Sequence, residues 1–119
     1  MGFVSAYDIA ETAAGALTAE KVEETDIFIT GPEPFSYDEV AEIFSGVLGR
    51  AITHTRVSED TRKRQYMAFG IEEDYAAGLA KMEAGVALGA EQRVFENPKA
   101  VKGKKRLRDF IVENKDVWI

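Results

Sequence analysis

The feature that most constrains the fold is a short apolar run, Ile27 to Ile29, inside the segment 26–30. Consecutive apolar residues without polar alternation are typical of a strand that is buried on both faces, as the strands of parallel sheets are. Gly31 and Pro32 follow directly, and both residue types favour a turn over continuation of the strand. The sequence therefore predicts a strand at about 26–30 in a parallel sheet.

The residues after this strand predict a helix and then a second strand. Ser36 and Glu39 have the spacing of a capping box, in which each side chain caps the other residue's backbone amide. Apolar residues recur from 40 to 48 at the spacing of one buried helix face, and Gly49 fits a left-handed cap. Residues 51–57 are rich in residues that favour strands, so we expect a second strand there.

Capping residues also mark the other predicted helices. Ser5 begins a helix over 5–18, and Ser58 begins one that ends near Gly70. A helix over about 72–88 forms a hairpin with its predecessor, and a last helix begins at about Lys104. The polar residues 21–25 connect the first helix to the first strand. The expected fold class is α/β and mainly helical, with two short strands (about 26–30 and 51–57) in a single domain, 1–119.

Composition places the chain among ordinary globular proteins. Its 119 residues suffice for one domain, and 45% of them are hydrophobic and 30% charged. Cysteine is absent, which excludes disulfides and thiolate metal sites and suits a reducing, cytoplasmic setting. No apolar run approaches the roughly 20 residues of a membrane span, and the net charge of −6 argues against nucleic acid as a partner. We therefore expect neither nucleic acid nor a membrane as a partner.

Three stretches of the sequence resemble one enzyme family. They are "FVSAYDIAETAAGAL", "IFITGPEPFSYDEVAEIFSGVLGRAI" and "DFIVENKDVW". Together they resemble the C-terminal part of the NmrA-like atypical short-chain dehydrogenases, and within that group the fungal reductases of the ergot alkaloid type, typified by festuclavine dehydrogenase. The resemblance implies a Rossmann-type NAD(P)-binding fold, of which this chain is the substrate-binding portion without the N-terminal Rossmann half.

Two signatures of nucleotide binding and hydride transfer are absent from the sequence. No Gly-x-Gly-x-x-Gly pattern occurs, because no two of the ten glycines are two positions apart. No tyrosine has a lysine four residues later, so the Tyr-Lys pair of typical short-chain dehydrogenases is not encoded. We expect no cofactor to bind the isolated chain, although the resemblance implies NAD(P)H for full-length members of the family. The chain by itself is not expected to be an active reductase.

Aromatic and methionine side chains in the predicted hairpin are the candidates for ligand binding. Large apolar side chains with a few polar groups are typical of small-molecule pockets. The alternative is that these residues belong to the core. The candidates are Tyr66, Met67, Phe69, Tyr75 and Met82. No residue is assigned a catalytic, cofactor-binding or metal-binding role.

Three other groups of polar residues have simpler explanations than catalysis. His54, the only histidine, is conceivable as a general base, but a lone histidine on a strand is more often structural and has no second soft metal ligand. Six basic residues within 99–108 suggest a phosphate or nucleic-acid site, but they lack interleaved aromatics and suit a solvated helix face better. The remaining carboxylates suit helix N-termini; they are Asp60, Glu72, Glu73 and Asp74.

Two classes of function remain open. In the first, the chain is the substrate-binding portion of an NAD(P)-dependent reductase that acts on a small, polycyclic secondary metabolite and needs a Rossmann-containing partner. In the second, it is a stand-alone small-molecule-binding protein or a cofactor-free cyclase or isomerase. A third possibility, a regulator that senses dinucleotides, would need the same glycine loop, which this sequence lacks. Because the chain supplies at most two strands, we also expect a homo-oligomer or a complex with a Rossmann-containing partner.

Overall fold

The computed structural model describes residues 1–21 and 25–119. Part of the predicted polar connection at 21–25 thus lies outside the described residues. The described chain forms six α-helices, two short parallel strands and a 3₁₀ helix. In chain order these are α1 Ala6–Thr18, β1 Ile29–Thr30, α2 Tyr37–Leu48, α3 Glu59–Ala68, α4 Glu73–Ala87, α5 Gln92–Glu96, β2 Val101–Lys102, α6 Leu107–Glu113 and the 3₁₀ helix Lys115–Trp118.

The elements group into two compact units. The larger unit comprises Met1–Thr53 together with Glu91–Ile119, and the smaller unit is His54–Ala90. The larger unit contains both strands, whereas the smaller unit consists of α3, α4 and the adjoining loops. The single domain expected over 1–119 stays a prediction.

Local capping explains where α1 and α2 begin. Ser5 Oγ accepts a hydrogen bond from the Tyr7 amide (3.1 Å) at the start of α1. At the start of α2, Ser36 Oγ accepts from the Glu39 amide (3.2 Å), and Glu39 Oε2 accepts from the Ser36 amide (2.6 Å). Gly49 ends α2 in the left-handed conformation, at φ +68°, which costs glycine little because it has no Cβ. The predicted capping box and left-handed cap are confirmed.

The C-terminal end of the chain packs on α2. Ile111 of α6 and Val47 of α2 are buried. The ring of Trp118 meets Phe44 edge to face, with 5.0 Å between centroids, an arrangement that aromatic pairs favour. Arg50 Nη2 donates to the Trp118 carbonyl (2.7 Å). The C-terminal segment is thereby held against the helix that follows β1.

A buried carboxylate joins α1 to the segment after β2. Asp8 Oδ2 accepts hydrogen bonds from the backbone amides of Lys104 (3.0 Å) and Lys105 (2.9 Å). A Cβ at Gly103 would lie 2.9 Å from the same oxygen, so glycine permits the close approach. α6 begins at Leu107 and not at about Lys104 as predicted, because the backbone of Arg106 is still extended, at φ −76° and ψ 146°.

The second strand lies elsewhere than predicted. Residues 51–57 form no strand, and β1 pairs in parallel with Val101–Lys102. The composition of 51–57 favours a strand, but a strand also needs a neighbour for its backbone groups. Instead, Ser45 Oγ of α2 accepts from the Ile52 amide and donates to the Ile52 carbonyl, both at 2.9 Å. The expected strand at 51–57 is therefore wrong, because its start is tied back to α2.

The first strand is shorter and less covered than predicted. Only Ile29 and Thr30 of the segment 26–30 have strand geometry. Ile27 and Phe28 remain 44% and 50% exposed, so burial on both faces is wrong for the described chain. The reason is that β1 has a single neighbouring strand of two residues.

The predicted helical hairpin is confirmed in the smaller unit. Ser58 Oγ accepts from the Thr61 amide (3.1 Å) at the start of α3. Gly70 follows α3 with φ +87°, which turns the chain toward α4. Ala76 and Ala80, four residues apart on one face of α4, are buried. Small side chains at these positions allow two helices to pack closely.

Candidate functional site

A polar network links the two arms of the hairpin. Arg62 of α3 makes a two-pronged ion pair with Glu83 of α4, at 2.6 Å from Nε and 3.1 Å from Nη2. The Tyr66 hydroxyl donates to the same carboxylate, and it accepts from Arg62 Nη2 (3.1 Å). The guanidinium carbon also lies 4.4 Å from the centroid of the Tyr66 ring. Tyr66, one of the predicted ligand-binding residues, is thus part of a half-buried structural contact.

The network shifts the proton affinities of its members. The hydrogen bond from Arg62 holds the pKa of Glu83 below its usual value of 4.5. The hydrogen bond to Glu83 raises the pKa of Tyr66 above 10.0, and burial adds to the effect. The pKa of Arg62 is raised as well, chiefly by its hydrogen bond to Glu83. At neutral pH the three groups therefore stay as a cation, an anion and a neutral phenol.

The other predicted ligand-binding residues of the hairpin are exposed. Phe69 is 83% exposed, Tyr75 66% and Met82 60%, and Met67 is also exposed. Tyr75 and Met82 are seven residues apart and share one face of α4. The alternative that Phe69, Tyr75 and Met82 are core residues is wrong for the described chain. Their role in ligand binding stays a prediction.

The larger unit contains an open cleft of about 490 Å³ that the sequence did not indicate. It lies between the second half of α1 and the two strands, and its volume is in the range of small-molecule pockets. The small residues of α1 leave the space, while exposed apolar side chains of the strand region face it. The lining residues are Thr12, Ala16, Ala19, Lys21, Asp26, Ile27, Phe28, Asn97, Lys99 and Val101. In the sequence, the small residues Ala13 and Ala16 on the apolar side of α1 predict close packing against a sheet and not a cavity.

Among the polar groups with simpler explanations, Lys99 is a lining residue of the cleft. His54 is half-buried in the loop between α2 and α3. Within the basic segment, Lys105 pairs with Glu113 (2.6 Å) and Arg106 with Glu33 (2.9 Å). The remaining carboxylates lie at the starts of α3 and α4, as predicted; they are Asp60, Glu72, Glu73 and Asp74. The ion pairs support the interpretation of the basic segment as a solvated surface.

Two further kinds of site are absent from the part of the chain that the structure describes. No group of three or more histidine, cysteine, aspartate or glutamate side chains is placed to hold a metal ion. No described helix is long and apolar enough to cross a membrane.

Comparison with known proteins finds relatives of the chain among oxidoreductases. The sequence is 38% identical to an uncharacterised oxidoreductase, YesF, of Bacillus subtilis over 99% of the chain. It is 39% identical to the agroclavine dehydrogenase of Claviceps purpurea and 40% identical to the festuclavine dehydrogenase of Aspergillus fumigatus, over 98% of the chain in both cases. The chain is a relative of the ergot-alkaloid-type reductases. The resemblance found in the sequence is thus confirmed.

The match to the ergot-alkaloid-type reductases covers only part of their length. The chain spans 42% of YesF, 41% of the agroclavine dehydrogenase and 42% of the festuclavine dehydrogenase. More than half of each relative therefore lies outside the matched stretch. No model of a known protein family matches the chain. No solved structure matches it either.

Proposed function

We propose that the chain is the substrate-binding portion of an NAD(P)-dependent reductase that acts on a small, polycyclic secondary metabolite. In this proposal its two strands belong to a Rossmann-type fold, and hydride transfer needs a nucleotide-binding domain in the same or another polypeptide. The hairpin side chains Phe69, Tyr75 and Met82 contact the substrate.

The observation that carries the proposal is the similarity to agroclavine and festuclavine dehydrogenases along nearly the whole chain. Two further observations support it. The sequence has no Gly-x-Gly-x-x-Gly loop with which to hold a pyrophosphate. The hairpin exposes aromatic and methionine side chains, which carry most of the binding energy where a ligand desolvates them.

A chimera tests this proposal. In it, the present chain replaces the stretch of Aspergillus fumigatus festuclavine dehydrogenase that it matches. We expect the chimera to bind NADPH and to show nucleotide-dependent turnover with the parent's substrate, whereas the isolated chain shows neither. The parent enzyme is the positive control. A chimera that binds NADPH as the parent does but neither binds nor turns over the substrate contradicts the substrate-binding role.

The second candidate function is that of a stand-alone small-molecule-binding protein or a cofactor-free cyclase or isomerase. The cleft of about 490 Å³ supports this alternative, because it is formed within one unit and needs no nucleotide. Titration of the isolated chain with agroclavine distinguishes the two functions. Binding by the isolated chain that Phe28→Ser abolishes and Tyr75→Ala leaves intact favours this candidate.

A further inference from the structure

Gly78 is a glycine that the packing of α4 does not require. It lies inside the helix and does not have a positive φ, so neither a turn nor a left-handed backbone calls for glycine there. Among the described residues, a Cβ at position 78 would meet nothing within 4 Å beyond the helix's own backbone. Glycine inside a helix is less stable than alanine at the same position. The fold of the hairpin therefore does not explain the open space over Gly78.

The space over Gly78 is a groove with two different walls. Tyr75 and Met82 are seven residues apart, about 10 Å along the helix axis, and stand on one side of it. Asp74 and Lys81 have the same spacing and stand on the other side. All four side chains are exposed. The groove thus has an apolar wall, a floor of bare backbone, and a wall with one carboxylate and one ammonium group.

The shape and chemistry of this groove suit a flat molecule of fused rings. One face of such a molecule packs on the Tyr75 ring and the Met82 thioether, both of which make favourable contacts with aromatic rings. One edge reaches the backbone at Gly78, where no Cβ stands in the way. A hydrogen-bonding group on the other face or edge meets Asp74 or Lys81, which supply an acceptor and a donor. A puckered ring system is thicker and needs more room between the two walls.

We propose that Gly78 is a specificity-determining residue, whose missing side chain admits a flat, fused-ring substrate with a hydrogen-bonding group on its rim. This inference deepens the proposed function and rests on it, because it takes Tyr75 and Met82 as substrate contacts. It adds a selection by shape that those two side chains do not provide alone. A methyl group at position 78 would fill the floor of the groove and lift the rings away from the apolar wall.

NMR titration of the isolated chain tests where such a molecule binds. The probes are acridine, which is flat, and tetrahydroacridine, which has the same ring nitrogen but one puckered ring. We expect acridine to shift the amide resonance of Gly78 and the methyl resonance of Met82 and to bind more tightly than tetrahydroacridine. Absence of these shifts, or shifts confined to Phe28 and Val101 of the cleft, overturns the proposal. A Gly78 resonance that moves with the concentration of the chain alone also overturns it, since a second copy then covers the groove.

A matched pair of alanine variants separates recognition from folding. Gly15 of α1 is also an exposed helical glycine at which a Cβ would meet nothing within 4 Å, so Gly15→Ala is the control for Gly78→Ala. We expect both variants to raise the thermal midpoint, because alanine favours a helix over glycine. Only Gly78→Ala is expected to weaken acridine binding, by at least about fivefold. Unchanged affinity in Gly78→Ala, or a lower thermal midpoint, contradicts a role in recognition.

The festuclavine dehydrogenase chimera keeps this test separate from that of the proposed function. A chimera that turns over the parent's substrate, together with acridine binding that Gly78→Ala leaves unchanged, overturns the inference and leaves the proposed function supported. A chimera that binds NADPH but neither binds nor turns over the substrate contradicts the proposed function. Acridine binding that depends on Gly78 in the isolated chain then still supports the groove as a site for flat rings.

Discussion

At the scale of single residues, Asp8 stabilises the larger unit by joining α1 to the segment after β2. Its buried carboxylate accepts two backbone amides, those of Lys104 and Lys105. Asp8→Ala leaves both amides without an acceptor, and we expect the free energy of unfolding to fall by about 2 to 4 kcal/mol. Chemical denaturation followed by circular dichroism measures the loss. Glu20→Ala, at an exposed position, is the control and is expected to change stability by less than about 0.5 kcal/mol.

The exposed side chains of the hairpin carry a second prediction at this scale. We expect Phe69→Ala or Tyr75→Ala to weaken binding of the parent enzyme's substrate to the chimera by about 1 to 3 kcal/mol, because desolvated aromatic side chains dominate binding energies. Both residues are exposed in the described chain, so the helix content of the variants stays near that of the parent. His54→Ala is the control, with little expected change. If affinity survives both hairpin substitutions and is lost with His54→Ala, the hairpin is not the substrate surface.

At the scale of elements, the ion pair between α3 and α4 makes the hairpin sensitive to acid. The folded-state pKa of Glu83 lies below its usual value of 4.5 because of Arg62, so the carboxylate stabilises the folded state above that pH. The contribution is lost as the pH falls through the folded-state pKa. Glu83→Gln removes this dependence. We expect the variant to have a lower thermal midpoint than the parent at pH 7 and a smaller further decrease between about pH 5 and pH 3.

This prediction is checked by the difference in thermal midpoint between the parent and Glu83→Gln at each pH. The other carboxylates affect both proteins equally and cancel in that difference. Thermal unfolding followed by circular dichroism supplies the midpoints. Two parallel curves from pH 7 to pH 3 mean that Glu83 does not stabilise the hairpin through its charge. Glu42→Gln, at an exposed position of α2, serves as the charge-matched control.

Elements defined by local signals could be predicted from the sequence, and those defined by distant contacts could not. The capping box at Ser36, the left-handed Gly49 and the hairpin turn at Gly70 depend on residues within one helical turn, and all three are found. The partner of β1 lies about 70 residues away, at Val101–Lys102. Nothing in the composition of 51–57 reveals that Ser45 occupies the backbone groups of Ile52.

The candidate site was predictable only in part for the same reason. Aromatic content pointed to the hairpin, but it did not show that Tyr66 is engaged by Arg62 and Glu83. The cleft beside β1 depends on segments that are far apart in sequence, near residues 16, 28 and 101. Periodicity reports which face of an element is apolar, and it does not report whether the facing surfaces fill the space between them.

At the scale of the whole molecule, the described chain has more apolar surface than its own elements cover. The buried hydrophobic side chains are few, and only Ile111 among the large ones is fully buried. Exposed large hydrophobic residues occur in both units, including Phe28 in one and Phe69 in the other. Contiguous exposed apolar surface marks interaction or ligand sites. In the proposed reductase, the nucleotide-binding domain covers the exposed apolar residues beside β1, and the substrate covers those of the hairpin.

The most direct test of this account is calorimetric titration of the isolated chain with NADPH and with NADH. The chain has no glycine loop at a helix N-terminus to bind the pyrophosphate, so we expect no binding tighter than about 100 μM, which corresponds to about 5.5 kcal/mol. The parent festuclavine dehydrogenase is the positive control under the same conditions. Saturable binding of either nucleotide to the isolated chain below about 100 μM contradicts the assignment as a substrate-binding portion that depends on a separate nucleotide-binding domain.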